Sequence, residues 1–432
     1  MTLTTEQQQA FDKILHWFQA SSESFFSLQG FAGTGKTFLC QELVKVIKGK
    51  VCFTAPTNKA VRVLREVMTT KDYFPDCCTI YSLLGLQMVA TGEVKVLSHK
   101  NARDPDLSSY RLVVVDEASM VSAILLKHLK SAAGGGTVKF LFLGDPAQLP
   151  PVKETSSPVW SLGCPEAKLT TVMRHDNQIL EFVTKVREQV ARPVPTLQLY
   201  NDHAEGEGVW ALPAVKWEAA AKRAAQQGEF ESGGAKIIAW RNVEVDRYNA
   251  MARREILRLG EGVEPPAWVA EDRVTFTAPA MDLEGDSMAR TDDEGVVTRV
   301  TLDDHPTWPE FRVWRLRITL DTNEVIEGLS LAQESLRAWT AQHETLAAEA
   351  RANPRRWKAF WEFKEAFHSI RHAYAYTAHR MQGSTCRTAF VDAKDILSNR
   401  NRGEAFRCLY VACSRPTTKL VLGGLPASPN RL

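Results

Sequence analysis

Short, nearly unbroken apolar runs alternate with amphipathic stretches over the first third of the chain. Ser24 to Gln29, Val51 to Ala55, Arg111 to Val115 and Val138 to Leu143 each read as a strand covered on both faces, because buried parallel strands lack polar alternation. Thr37 to Ile47 and Asn58 to Met68 repeat apolar residues at helical spacing between them. Strand–helix alternation of this kind predicts a parallel sheet with helices on its faces.

The pattern changes between Leu84 and Tyr110. Gln87 to Ala90 and Val94 to Leu97, separated by Thr91-Gly92-Glu93, predict a β-hairpin with a glycine turn. Lys236 to Trp240, Thr388 to Asp392 and Leu420 to Leu422 predict strands of a second α/β unit. Residues from about 267 to 371 interrupt that unit. They open with short β patterns (Arg273 to Thr277, Gly295 to Val300, Phe311 to Leu320) whose spacing suggests a small barrel. A helical stretch rich in bases and aromatics, Leu331 to Arg371, follows.

Composition narrows the classes. The 432 residues carry 53 basic and 51 acidic side chains, a net charge of +2, so bulk charge does not draw the chain to polyanions, although local basic strips remain open to it. At 44% hydrophobic residues the chain is neither disordered nor collagen-like. No apolar run reaches the roughly 18 residues of a membrane span, and the first residues have no secretion-signal pattern, so a cytoplasmic location is expected. The eight cysteines form no Cys-x-x-Cys pair and sit away from zinc-site spacing, which favours free thiols over a metal site or disulfides.

The strongest chemical signal is Gly30-Phe-Ala-Gly33-Thr34-Gly35-Lys36-Thr37, a complete phosphate loop between a predicted strand and helix. Its glycines let backbone amides converge on phosphate oxygens at a helix N-terminus. Lys36 would reach the β- and γ-phosphates, and the Thr37 hydroxyl would ligate Mg²⁺. A second apolar strand ends in Asp116-Glu117, placing a metal-binding carboxylate beside one that can polarise a water for attack on the γ-phosphate. A third ends in Gly144-Asp145-Pro-Ala-Gln148-Leu-Pro-Pro, where proline-flanked Gln148 could sense that phosphate. Standing alone, this last stretch would read as an ordinary proline-rich turn.

In this order the three elements resemble motifs I, II and III of superfamily 1 helicases. Ala375 to Thr385 resembles motif V, and Leu409-Tyr410-Val-Ala-Cys-Ser414-Arg415-Pro resembles motif VI. The small insertions make the chain similar to superfamily 1B enzymes, of the compact Dda type of bacteriophages with RecD-like relatives. The resemblance implies two recA-like parallel-sheet domains, one formed by 1–84 with 109–175 and the other by 176–266 with 372–432. It also implies a β-hairpin insertion at 85–108, and an SH3-like barrel with helices at 267–371. Further roles follow from it: Gln7 as the adenine contact, Gln382 and Gly383 at the nucleotide, and Arg174 and Arg415 as arginines approaching the γ-phosphate. An arginine finger is worth ~10³–10⁵ in rate.

For the nucleic acid, the resemblance nominates Pro56, Thr57 and Asn58, then Tyr81 (where many relatives carry His), then Asn242, His379, Ser384 and Thr385. Hydroxyls, amides and strand-end backbone suit phosphate contacts, and an aromatic can stack on a base. Each of these side chains also admits a helix-cap or turn reading. The hairpin is either a wedge for splitting duplex or a solvated ornament. The helix carrying Trp357, Phe360, Trp361 and Lys364 reads as packing that braces barrel against hairpin, in preference to a stacking surface.

The implied activity is an ATP- and Mg²⁺-dependent DNA helicase, working as a monomer 5′ to 3′ on single-stranded DNA and at single-strand/duplex junctions. The family polarity rests on resemblance alone. A single-strand-binding protein or replisome component is a possible partner. One alternative is a P-loop ATPase that remodels or switches on nucleic acid without unwinding. A ring ATPase would need its finger in trans, whereas Arg174 and Arg415 share a chain with Lys36; a decayed ATPase would lack one of Lys36, Asp116, Glu117, Gln148 or Arg415.

Overall fold

The computed structural model describes residues 3–69, 73–99, 106–134, 138–171, 178–192, 201–204, 206–260, 262–282 and 285–424. A first six-stranded sheet runs in the order Asp76–Thr79, Lys50–Ala55, Tyr110–Val115, Lys139–Gly144, Phe25–Gly30, Glu166–Leu169, all parallel. Alternate residues of its central strands enter two separate cores. Leu28, Phe53, Val114 and Leu141 pack under the first helices, and Val113, Val115, Phe140 and Phe142 pack on the opposite face. Each such side chain contributes about 1.5–3 kcal/mol on burial.

The second sheet has the order Ala375–Thr377, Ala235–Ala239, Cys386–Asp392, Pro416–Gly423, Glu207–Leu212, Asp202–Ala204, parallel except at the last pairing. Its strands are likewise covered on both faces. The helix Gln178–Ala191 lays Ile179, Phe182, Val183 and Val186 into this second core, with Ala147 and Leu149 of the first sheet's proline-rich loop beside them. One hydrophobic cluster therefore joins the two lobes. The strands Asp76–Thr79, Glu166–Leu169, Asp202–Ala204, Glu207–Leu212 and Ala375–Thr377 were not apparent as apolar runs; four of the five are only three or four residues long.

The inserted region forms a five-stranded antiparallel sheet, ordered Val325–Leu331, Arg312–Leu320, Glu294–Asp304, Arg273–Phe276, Ile370–His372. It curls until its ends approach: the His368 amide donates to the Leu329 carbonyl at 2.7 Å. The helices Leu336–Ala352 and Trp357–Glu365 stand on it through an aromatic cluster of Phe311, Phe363 and Phe367 with Trp308 and Trp339.

The hairpin pairs Leu86–Thr91 with Val94–His99, and Gly92 takes φ +65°, the left-handed backbone such a turn needs. Its tip lies on the Trp357–Glu365 helix. The Trp361 indole donates to the Gly92 carbonyl at 3.1 Å, the Lys95 ammonium sits 5.0 Å from the Trp361 ring centre, and Lys95–Glu365 and Arg351–Glu93 form ion pairs. Phe360 and Phe363 point inward, while Trp357 and Trp361 face the hairpin. Among the described residues, no helix is long and apolar enough to cross a membrane.

Candidate functional site

The phosphate loop leaves the strand Phe25–Gly30 and enters the helix Lys36–Val46 through Gly35 at φ +78°. A Cβ at Gly35 would lie 2.5 Å from the Gln7 amide nitrogen, so glycine is required for both conformation and space. Gln7 is buried and spends both ends of its amide: Nε2 donates to the Thr34 carbonyl at 3.1 Å, and Oε1 accepts from the Thr4 amide at 3.0 Å. It thereby ties the first helix to the loop. The Thr34 hydroxyl donates to the Phe31 carbonyl at 3.0 Å, which leaves the Gly33–Thr37 backbone to form the cradle.

Lys36 folds back, donating to the Gly30 and Phe31 carbonyls at 2.7 and 2.9 Å. Burial pulls its pKa down, opposed first by Asp145 and then by Asp116 and Glu117. Asp116 accepts from the Glu117 amide at 2.8 Å. Burial raises both carboxyls, that of Glu117 to about 7 with Asp116 adding to the push and Arg415 opposing it. Glu117 also holds φ +50°, a strained backbone for a non-glycine residue, costing roughly 1–3 kcal/mol. Two adjacent carboxyls forced toward neutrality, close enough to act on Lys36 at the helix start, are donors a divalent cation fits.

The second lobe closes on this site from several directions. Gln382 donates to the Ser119 hydroxyl at 3.2 Å, to Gln148 Oε1 at 3.4 Å and to the Leu149 carbonyl at 3.3 Å. Arg407 donates to the Pro146 and Gln148 carbonyls at 2.5 and 2.8 Å. Arg415 is buried, fixed by the Val411 and Ser384 carbonyls at 2.8 and 3.2 Å and by the Ser414 hydroxyl at 2.6 Å. Arg174 lies outside the described residues.

The nominated nucleic-acid contacts separate into groups. Thr57 caps the helix Asn58–Met68 by accepting from the Ala60 amide at 3.3 Å. Pro56 is buried just ahead of it, and the turn at Gly383 (φ +75°) faces Ala60 and Thr57 across the lobes. Exposed Thr385 lines a cavity of about 590 Å³ with Lys59, Arg62, Lys236 and Arg273. Ser384 differs from its neighbours: it is 2% exposed and its hydroxyl is enclosed. Tyr81 and His379 stand exposed, and Asn242 accepts from Arg371 at 3.3 Å.

Sequence reasoning missed the charged residues that join the lobes. Glu294 of the inserted sheet is 5% exposed and accepts from Lys59 of the first lobe at 3.0 Å and Lys236 of the second at 2.9 Å. Burial alone would raise its carboxyl, but Lys236 and Lys59 hold it well below the usual range. Arg187 and Tyr410, both on helices of the second lobe, reach Asp145 of the first. Nothing local in the sequence announces partners 42 to 265 positions away.

Residues 2–206 match the AAA domain family AAA_30, and residues 372–422 match the UvrD-like helicase C-terminal domain. The chain is 23% identical to the uncharacterized protein R530 of Acanthamoeba polyphaga mimivirus, over 96% of this chain and 98% of that protein. It is also 23% identical to the ATP-dependent DNA helicase dda of Enterobacteria phage T4, over 90% and 92% of the two chains. A solved structure of Pif1 helicases, described as unwinding forked double-stranded DNA, superposes with a TM-score of 0.53 at 16% identity, covering 98% of this chain and 92% of that one. With two recA-like sheets in one polypeptide and these relatives along nearly its whole length, the chain is similar throughout to superfamily 1B helicases of the Dda and Pif1 type.

Proposed function

We propose that the chain is an ATP-dependent DNA helicase that translocates 5′ to 3′ on single-stranded DNA and splits duplex ahead of it. The observation that carries the reading is Gln382, a second-lobe residue bonded to Ser119, Gln148 and Leu149 at the first lobe's nucleotide site. A site sealed by contacts across the lobe boundary changes shape when its contents change, and the lobes then shift relative to each other.

The roles proposed are those the motifs nominate, and the contacts at the phosphate loop support them. Backbone amides of Gly33 to Thr37 cradle phosphates, with Lys36 exchanging the Gly30 and Phe31 carbonyls for phosphate oxygens. Thr37 and Asp116 would hold Mg²⁺, which when bound neutralises charge on the β- and γ-phosphates. Glu117 takes the proton of the attacking water, Gln148 senses the terminal phosphate, and Arg415 with Arg174 balances its developing charge. Thr57, Asn58, Tyr81, Asn242, His379 and Thr385 are assigned to the strand, gripped in alternation by the two lobes, whereas Pro56 and Ser384 are buried and offer it no side chain. The braced hairpin is the wedge. The protein acts as a monomer, since each role falls within one chain.

Lys36→Ala tests this reading by ATPase assay and by anisotropy with a labelled oligonucleotide. Single-stranded-DNA-stimulated hydrolysis should fall by about 10² or more while strand binding remains. Persisting stimulated turnover would refute it. Wild-type turnover without any strand separation would instead favour an ATPase that remodels or switches on nucleic acid.

A further inference from the structure

Asp145 is fully buried, and it is held almost entirely from the other lobe. Arg187 donates Nη2 to Oδ1 at 2.8 Å and Nε to Oδ2 at 3.2 Å, and the Tyr410 hydroxyl donates to Oδ2 at 2.5 Å; among the described residues the Ala147 amide, at 3.0 Å, is the one local donor to the carboxylate. The same two residues also touch the phosphate loop. The Arg187 guanidinium lies 3.7 Å from the Phe31 ring centre, and the Ala32 amide donates to the Tyr410 oxygen at 3.3 Å. Phe31 in turn accepts from the Lys36 ammonium at 2.9 Å, so the clasp reaches the lysine through the loop.

We propose that Arg187, with Tyr410 as its partner, is a positioning residue that carries strand occupancy from the second lobe to Lys36 by clasping Asp145 and the phosphate loop together. The inference rests on the helicase reading above and adds residues to it. Arg187 sits on the helix Gln178–Ala191, whose apolar face is embedded in the second-lobe core, so a shift of that lobe moves the guanidinium. While the pair is intact, the charge of Asp145 is matched by a bidentate partner and Lys36 remains available to phosphate. When the pair is broken, an unmatched buried carboxylate competes with phosphate for the lysine. Lysine cannot replace this arginine, because an ammonium neither forks across both oxygens nor stacks on the Phe31 ring.

The test is steady-state ATP hydrolysis by the full chain, with and without saturating oligo-dT, for wild type, Arg187→Ala, Arg187→Lys, Tyr410→Phe and the Arg187→Ala/Tyr410→Phe double variant. Expected are a ratio of stimulated to unstimulated kcat at least about tenfold lower in each single variant, and a raised KM for ATP in the arginine variants. The double variant should lose little more than the worse single, because both groups act on one carboxylate. A merely structural role would lower the melting temperature and leave the ratio unchanged; that outcome overturns the proposal, as does a double variant whose losses multiply. If Arg187→Ala does not fold, Arg187→Lys and Tyr410→Phe decide by the same ratio. A wild-type enzyme that oligo-dT does not stimulate overturns the helicase reading and the proposal with it, an outcome distinct from stimulated wild type with stimulated variants.

Discussion

The indole nitrogen of Trp361 donates to the carbonyl oxygen of Gly92 at 3.1 Å, joining two parts of the chain 269 positions apart. A two-stranded hairpin is marginal by itself in water. Here its tip is clamped by that bond, by Lys95 over the indole and by the Lys95–Glu365 and Arg351–Glu93 pairs. A clamped tip can transmit force to a duplex where a free one would bend away.

Trp361→Ala should therefore lower the unwinding rate of a forked duplex by about tenfold, the equivalent of one half-buried hydrogen bond with its packing. Stimulated ATP hydrolysis should stay within about twofold, because the contacts of the indole run to the hairpin and its own helix. Stopped-flow strand separation beside a coupled ATPase assay separates the two effects.

Two cations of the same helical region pair with acids. Arg356 pairs with Glu349 at 2.5 Å, and Lys358 lies 3.7 Å from Glu362. Replacing Arg355, Arg356 and Lys358 together by Ala should leave the slope of log affinity for single-stranded DNA against log salt unchanged. Each lost phosphate contact would shallow that slope by about 0.7. Anisotropy titrations over a series of salt concentrations measure it.

Glu117 makes stability and catalysis depend on pH in opposite directions. Its carboxyl is raised in the folded protein, so the folded state holds its proton more tightly and loses stability as pH rises from the ordinary carboxyl range through about 7. Glu117→Gln should raise the melting temperature of the nucleotide-free protein at pH 8, by about 2 °C or more, with the gain shrinking as pH falls. The same change should cut kcat by about 10²–10⁴. Wild-type kcat/KM should fall as pH drops through about 7, where the base of the free enzyme becomes protonated.

Glu294 works the other way. Its carboxyl is depressed by Lys236 and Lys59 despite its burial, so its contribution is present above the unfolded value and is lost only as pH falls toward the depressed folded one. Glu294→Gln leaves two enclosed ammonium groups without their counter-charge and should cost about 3–5 kcal/mol at pH 7. Urea unfolding should show that deficit constant from pH 8 to 5 and narrowing only below about 4.5.

The parallel sheets and the phosphate loop were readable because apolar runs such as Val113 to Val115 and the Gly30–Thr37 spacing are local signals. Edge strands such as Asp76–Thr79 were not, since half-exposed edges carry little apolar signature. The hairpin was legible from Gly92, and the aromatic helix, read as bracing barrel against hairpin, from its spacing; the particular pairs between them, Trp361 with Gly92 and Arg351 with Glu93, were not. The Arg187–Asp145–Tyr410 and Lys59–Glu294–Lys236 clusters also escaped, because each is assembled by tertiary folding from ordinary-looking helix and strand residues.

Directional movement driven by ATP is most directly tested by strand separation on two duplexes identical except for a 5′ or a 3′ single-stranded tail, with hydrolysis followed in parallel. The account predicts rapid opening of the 5′-tailed substrate, little of the 3′-tailed one, and none of either with Lys36→Ala. Preferential opening from the 3′ tail, or hydrolysis stimulated by both tails with neither duplex opened, would contradict it.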